Sequence, residues 1–189
     1  MNMTIFKDNP RVIFLLLTVV IVACVITVYH TVAHRGEASG DEVIVRSREP
    51  FADFDWLTVD GEELSLHAMR GKVIFVNVWA TWCAPCRTEI PDLNGLQRRY
   101  GGDLQIIGVA NDRFGDVKRF LAEHDVAYPI VMMTDVVRSA VGDVAALPTT
   151  FVVDRRGYLV KRNVGALDRD TALHVLERLS KSVPGRERQ

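Results

Sequence analysis

The feature that most constrains this chain is a pair of cysteines, Cys83 and Cys86, at the junction of two predicted elements. The run KVIFVNVWA (72–80) before them is nearly all apolar and rich in β-branched residues, which predicts a strand covered on both faces. Residues 84–100 after them predict a helix. A helix N-terminus has unpaired N–H groups and a partial positive charge, and both stabilise a thiolate. Cys83, at or near the N-cap, is therefore predicted to be the attacking sulfur, and Cys86 the resolving thiol.

Three functions compete for this cysteine pair. A structural zinc site needs about four ligands, but the third cysteine, Cys24, lies far away in an apolar segment and the five histidines have no ligand spacing. A structural disulfide across so short a loop would contribute little through chain entropy. Electron transfer by thiol–disulfide exchange is the interpretation that the residues favour. The histidines are His30, His34, His67, His124 and His174.

The N-terminal segment predicts a membrane anchor. Val12 to Tyr29 contains 18 residues without a charge, and as a helix it would span about 27 Å, close to a bilayer core. Two basic residues precede it, so the positive-inside rule places residues 1–11 in the cytoplasm and the bulk of the chain outside. We assign residues 12–33 to the anchor. Two alternatives stay open: a cleaved signal peptide, and a lipoprotein with its lipid on Cys24.

The remaining pattern predicts one globular domain at residues 51–183, between a polar linker (34–50) and a flexible tail (184–189). An Asp60-Gly61 pair between two short alternating runs predicts a hairpin. Strand and helix patterns then alternate, so the expected fold class is an α/β sandwich of mixed parallel and antiparallel strands with helices on both faces. The expected elements are strands at 104–111, 149–154 and 158–165, helices at 115–125 and 168–182, and an irregular stretch at 126–146 with a short strand and a short helix.

Two stretches of sequence indicate the family that this chain resembles. WATWCAPCRTEIP (79–91) resembles the active site of thioredoxin-fold proteins. The longer GKVIFVNVWATWCAPCRTEIPDL (71–93) and LPTTFVVDRRGYLV (147–160) resemble the membrane-anchored TlpA/ResA/CcmG branch, and the resemblance extends from about Phe51 to Ser182. It implies a thioredoxin-like three-layer sandwich with an N-terminal β-hairpin and a central insertion, preceded by one transmembrane helix.

The resemblance also implies roles for residues other than the cysteines. Pro148 matches the family's cis-proline, and the backbone of Leu147 before it would pair with a client chain. Trp82 matches the tryptophan that shapes the docking surface. Glu89, three residues after the second cysteine and on the same helix face, matches the acid of this branch, with a solvated surface charge as the alternative. Asn77 stands where thioredoxin has a buried aspartate, and it cannot take a proton.

Together these features predict a membrane-anchored thiol–disulfide oxidoreductase in a bacterial cytoplasmic membrane, with its domain in the periplasm or outside. The uncharged Ala84-Pro85 dipeptide favours a protein-disulfide reductase over an oxidant. The expected partners are disulfide-bonded clients, for example in cytochrome c or oxidase assembly, and a membrane electron donor of the DsbD/CcdA type. No cofactor or metal is expected, and 23 Lys and Arg against 24 Asp and Glu provide no basic surface for nucleic acid. The alternatives are a disulfide donor or isomerase, and a copper or haem-protein assembly chaperone that binds metal through the two thiols.

Overall fold

The computed structural model describes three stretches of the chain, residues 10–33, 43–51 and 55–180. The chain divides into two units, Met1–Ser39 and Gly40–Gln189. Most of the predicted cytoplasmic N-terminus, and the whole of the predicted tail, lie outside the described residues.

The first unit contains helix α1 (Pro10–Ala33). The side chains described in this helix are residues 11 and 14–27, and they are exposed. The hydroxyls of Thr18 and Thr27 donate to carbonyl oxygens of the preceding turn, at 2.8 and 2.9 Å. Within the described part of the chain, no helix is long and apolar enough to cross a membrane. The predicted transmembrane anchor at residues 12–33 is therefore not supported by the structure.

The second unit contains a mixed sheet, a hairpin and four α-helices among its described residues. The strands are β1 (Val43–Pro50), β2 (Asp55–Leu57), β3 (Glu63–Ser65), β4 (Val73–Trp79), β5 (Leu104–Ala110), β6 (Ile130–Met132), β7 (Thr149–Val153) and β8 (Tyr158–Val164). The helices are α2 (Ala84–Tyr100), α3 (Phe114–Glu123), α4 (Asp135–Val141) and α5 (Arg169–Ser180), with a 3-10 turn at His67–Met69.

Six of these strands form one sheet in the order β1-β8-β7-β4-β5-β6. Strands β4, β5 and β6 are parallel, β7 runs antiparallel to β4, and β8 and β1 extend the sheet in antiparallel pairs. The predicted strands and helices after residue 72 are confirmed, and β6 and α4 fill the stretch predicted to be irregular. The parallel and antiparallel mixture follows from the connections, because the parallel strands are joined through α2 and α3 whereas β7 and β8 are joined by a tight turn.

The central strand β4 is buried on both faces, and this explains its continuous apolar sequence. All seven of its residues are buried. Phe75 and Trp79 belong to an apolar cluster that includes residues of α2, α3 and α5. Ile74 and Val76 point the opposite way, into a cluster that includes residues of the β2–β3 hairpin and α4. Because successive strand residues alternate between faces, a strand between two covered faces must be apolar at nearly every position, and the predicted α/β sandwich is confirmed.

The hairpin predicted at Asp60-Gly61 is confirmed as β2 paired with β3. Gly61 has a φ of 86°, a conformation that glycine adopts without the steric cost of a side chain. The hairpin is tied to the sheet at the edge strand β6, where the Val59 N–H donates to the Ile130 carbonyl at 2.7 Å. Hairpin and sheet therefore form one body.

Strand β1 corrects the predicted linker at residues 34–50. Residues 43–50 pair antiparallel with β8, with Val43 opposite Arg162 and Pro50 opposite Tyr158. Just after the strand, the Phe51 N–H donates to the Gly157 carbonyl at 2.9 Å. The sequence of β1, VIVRSREP, carries charges and a proline, which are typical of an edge strand and equally of a linker. Its pairing partner lies more than a hundred residues later, so no local pattern indicates the strand.

Candidate active site at one edge of the sheet

The sheet topology brings four chain segments to one edge. The parallel strands β4 and β5 end there, and so does β8, whereas the antiparallel β7 begins there. The edge therefore gathers the cysteine pair after β4, the Leu147-Pro148 peptide before β7, and the loop after β8. That loop is attached to the proline segment, because the Gly165 N–H donates to the Pro148 carbonyl at 2.8 Å.

Cys83 and Cys86 are joined in a disulfide at the start of α2. Cys83 is the N-cap residue, with extended backbone angles, and its Sγ accepts a hydrogen bond from the Cys86 N–H at 3.3 Å. Pro85 lies in the first turn, where its missing N–H leaves no helical bond unmade. The two side chains are buried, at 5% and 1% exposure. A thiolate formed on Cys83 would thus meet an N–H donor and the positive end of α2.

Glu89 lies one turn further along α2 and is buried, at 4% exposure. The alternative of a solvated surface charge is therefore wrong. Its Oε1 accepts from the Asn77 Nδ2 at 2.8 Å, and its Oε2 accepts from the Leu167 N–H at 2.7 Å. Burial raises the pKa of Glu89 to about 7, although the hydrogen bonds from Leu167 and Asn77 act in the opposite direction. A carboxyl group that titrates near neutral pH can both accept and release a proton under physiological conditions.

The residues predicted to form the docking surface are Trp82, Leu147 and Pro148, and they lie in segments near the disulfide in the sheet topology. The Leu147–Pro148 peptide bond is cis, which confirms the predicted conformation of that proline. Trp82, directly before the first cysteine, is 70% exposed, which is unusual for so large an apolar side chain. Leu147 is partly buried. Trp82, Leu147 and Pro148 thus lie at the same edge of the sheet as the buried disulfide.

Asp112 is a residue of this edge that the sequence pattern did not indicate. Its Oδ2 accepts from the Thr81 N–H at 3.0 Å and from the Thr81 Oγ1 at 2.6 Å. Burial acts to raise the pKa of Asp112, but these bonds, the Arg113 N–H and the Arg113 charge lower it below its ordinary value. The contact fixes the loop that carries Trp82. Its position two residues after the end of β5, the parallel neighbour of β4, is the signal that would have indicated it.

The described residues bring together no three His, Cys, Asp or Glu side chains that would suit a metal ion. The functional groups of the site are the two cysteine sulfurs, the buried carboxyl group of Glu89, and the amide and N–H donors that bind this carboxyl group. This set of groups supports the transfer of electrons between sulfurs and of a proton to a carboxylate.

Comparison with known proteins gives the same assignment. The Redoxin family model matches residues 46–178. The thiol-disulfide oxidoreductase ResA of Geobacillus thermodenitrificans is 34% identical over 139 residues, which cover 71% of this chain and 78% of that protein. The crystal structure of a thioredoxin-family thiol:disulfide interchange protein from Chlorobium tepidum is similar at a TM-score of 0.66 and 30% identity, covering 71% of this chain and 97% of the other.

A second similar structure is that of an exposed lipoprotein thioredoxin from Streptococcus pneumoniae. It has a TM-score of 0.62 at 27% identity, and the match covers 68% of this chain and all of that one. The predicted thioredoxin-like fold is thereby confirmed, as is the predicted enzyme class. This chain belongs to the Redoxin family, and it is a thiol-disulfide oxidoreductase with a thioredoxin-like fold.

Proposed function

We propose that this protein reduces disulfide bonds in extracytoplasmic client proteins through the dithiol of Cys83 and Cys86. The observation that carries the proposal is the Cys83–Cys86 disulfide at the N-cap of α2, with the buried Glu89 one turn beyond it. A disulfide closed at a helix N-terminus is the oxidised half of a couple whose reduced half holds an activated thiolate. The carboxyl group beyond it supplies a proton acceptor for the second thiol.

The reaction proceeds through two exchanges of sulfur. In the reduced enzyme the Cys83 thiolate attacks one sulfur of a client disulfide, forming a mixed disulfide, and the other client sulfur leaves with the electron pair and takes a proton. The Cys86 thiol then gives its proton to Glu89, and its thiolate attacks the Cys83 Sγ. The bond from Cys83 to the client breaks, and the second client sulfur leaves with the electron pair and takes a proton. The client then has two thiols while the enzyme holds the Cys83–Cys86 disulfide. Two electrons have passed from enzyme to client.

Glu89 has a defined task in the second exchange. Cys86 is 1% exposed, so water cannot stabilise its thiolate, and burial opposes its ionisation. Cys86 and Glu89 lie three residues apart on α2 and are both buried, which places them on one helix face. A carboxylate next to a buried thiol is the base that such a step requires.

The reducing direction rests on what surrounds Cys83. A strong oxidant has a reduced form that is strongly stabilised, but Ala84 and Pro85 between the cysteines add no charge. The reduction potential should therefore lie nearer to about −270 mV, as in thioredoxin, than to about −120 mV, as in DsbA. Equilibration with glutathione or dithiothreitol measures it. A value above about −150 mV would reverse the assigned direction and favour a disulfide donor.

Client docking is assigned to Trp82 and to the backbone of Leu147 beside Pro148. Trp82 is exposed at the edge where the disulfide lies, and Pro148 cannot donate a hydrogen bond to a client. Cys86→Ser keeps the attacking thiol and prevents resolution, so clients should accumulate as mixed disulfides that reductant releases. If the clients are proteins of cytochrome c or oxidase assembly, these proteins should be found among the trapped mixed disulfides. Equal trapping by the Cys83→Ser variant would contradict the assignment of the attacking sulfur.

We also propose that the chain is held at a membrane, outside the cytoplasm. A membrane electron donor of the DsbD/CcdA type would reduce the Cys83–Cys86 disulfide after each cycle. Support comes from the uncharged sequence between residues 12 and 29, and from the exposed lipoprotein thioredoxin that the chain resembles. Retention of the N-terminus in membranes after an alkaline carbonate wash tests it. A soluble form that begins near residue 35 would contradict it, and a lipid on Cys24 would show that a lipid attaches the chain to the membrane.

A further inference from the structure

Asn77 lies in the middle of β4, at 1% exposure, and its amide nitrogen donates two hydrogen bonds. Its Nδ2 donates one hydrogen bond to the Glu89 Oε1 at 2.8 Å and another to the Thr150 Oγ1 at 3.0 Å. An amide nitrogen carries two hydrogens and has no acceptor capacity, so these bonds engage both hydrogens. Thr150, on the neighbouring strand β7, therefore fixes the amide so that it is a donor towards Glu89.

The second oxygen of Glu89 is held from the opposite side of the site. The Leu167 N–H, in the loop after β8, donates to the Oε2 at 2.7 Å. Each carboxylate oxygen thus accepts from one donor, and neither donor can take up or lose a proton near neutral pH. Donors of this kind favour the charged carboxylate, whereas burial favours the neutral acid. The two influences oppose each other at a single buried group.

We propose that Asn77 is a positioning residue for Glu89, and that its amide sets the pH range over which the mixed disulfide is resolved. The proposal rests on the function proposed above, in which Glu89 accepts the proton of Cys86. Asn77 acts only through Glu89: it holds the Oε1 and biases the carboxyl group towards the form that can accept a proton.

Of the groups around Glu89, Asn77 and Leu167 are the ones that donate hydrogen bonds to its carboxylate and so favour its charged form. Cys86 shares its helix, and Thr150 contributes from β7 a hydroxyl that does not titrate. Tyr128, which precedes β6, is buried, and both burial and the charge of Glu89 raise its pKa, so it is neutral across the working range. In the loop after β8, the Asp168 carboxylate accepts from the Thr171 N–H at the start of α5.

The test measures resolution of the mixed disulfide as a function of pH in the full chain. Reduced enzyme is mixed rapidly with excess of a peptide disulfide that carries a fluorophore, and the phase that is independent of peptide concentration is followed from about pH 5 to pH 9. In Asn77→Leu the midpoint of the pH dependence of this rate should rise by about one to two pH units, because the Glu89 carboxylate loses one hydrogen bond. Towards the alkaline end the rate should approach the wild-type value, which loss of packing alone would not produce.

Two further variants keep the test decisive. Asn77→Asp keeps the shape and replaces the donor by a second acid, whose charge should also raise the midpoint; it serves if Asn77→Leu does not fold. Asn94→Leu removes another buried amide of the same domain, one that bonds the backbone at Asp125 and Ala127. This control should leave the midpoint unchanged, because those bonds do not reach Glu89.

The outcomes separate this proposal from the function on which it rests. If Glu89→Gln loses the pH-dependent phase while both Asn77 variants keep the wild-type midpoint, Asn77 has no positioning role and Glu89 remains the base. If Glu89→Gln resolves at the wild-type rate, the role of Glu89 is wrong and that of Asn77 falls with it. A glutamate-selective carbon-13 titration of wild type and Asn77→Asp gives an independent reading, and an unchanged Glu89 midpoint there overturns the proposal.

Discussion

The N-termini of α2 and α5 have the same pattern of capping hydrogen bond and serve different purposes. In α2 the cap is Cys83, whose Sγ accepts from the Cys86 N–H at 3.3 Å. In α5 the cap is Asp168, whose Oδ1 accepts from the Thr171 N–H at 2.9 Å. In both, a side-chain atom of the cap residue meets an N–H three residues later, which would otherwise lack a partner. The carboxylate cap only holds a helix end, whereas the sulfur cap can also change its chemical state.

The hydrogen bonds at the two caps also indicate how strongly each helix N-terminus stabilises an anion. Hydrogen bonds from Thr171, through its hydroxyl and its N–H, outweigh the opposing effect of burial and hold the pKa of Asp168 below its ordinary value. Cys83 accepts from the N–H of Cys86, and the residue at that position offers no hydroxyl. A thiolate on Cys83 would thus be stabilised, but less fully than the Asp168 carboxylate. Moderate stabilisation of the reduced form is what a reductant requires.

The largest expected effect comes from a substitution at the α2 cap that removes the reactive sulfur and keeps the capping interaction. Cys83→Ser retains a good N-cap and removes the nucleophile. Reduction of a peptide disulfide should fall on the order of a thousandfold or more. The free energy of unfolding should stay within about 0.5 kcal/mol of that of the reduced wild type. Residual activity within tenfold of wild type would mean that another sulfur attacks first.

A smaller effect is expected from Glu89→Gln, which removes the buried base that follows the cap of α2. Wild-type resolution should rise as pH increases through about 7, where Glu89 loses its proton. The glutamine variant should resolve the mixed disulfide about ten to a hundredfold more slowly at neutral pH, while the initial attack by Cys83 stays intact. Rapid-mixing kinetics separate the two steps. Glu123→Gln, which changes an exposed glutamate of α3, should behave like wild type.

The part of this site that was predicted from sequence is the part whose interactions are local. The run before Cys83, the helix after it, and the positions of Cys83 at the cap and Cys86 inside the first turn follow from periodicity within about twenty residues. The shared face of Cys86 and Glu89 follows from the helical repeat. Each of these features is confirmed, because burial of β4 on both faces and the N-cap of α2 leave the chain few alternatives.

The rest depends on contacts between distant segments. Glu89 meets the Leu167 N–H, which lies 78 residues later, and no pattern near Glu89 contains that donor. Asn77 could be identified as unable to take a proton, but its bond to Glu89 depends on how β4 and α2 are packed. The pairing of β1 with β8 is of the same kind. Long-range geometry thus determines the chemistry of Glu89, whereas local pattern determines where the cysteines lie.

The smallest effect tests whether a helix N-terminus in this fold favours an anion at all. Asp168→Asn keeps a capping oxygen and removes the charge, so the loss of stability near pH 7 should be only about 0.3 to 1 kcal/mol. Because the folded-state pKa of Asp168 is lowered, its contribution is present above the unfolded pKa of about 3.9 and is lost as pH falls through the folded value. Urea unfolding should therefore separate wild type and variant near neutral pH and bring them together in acid. Asp92→Asn, which changes an exposed aspartate inside α2, should show no such convergence. If Asp168→Asn is as stable as wild type at pH 7, the charge contributes nothing at the α5 N-terminus, and the corresponding argument for a Cys83 thiolate at α2 loses its support.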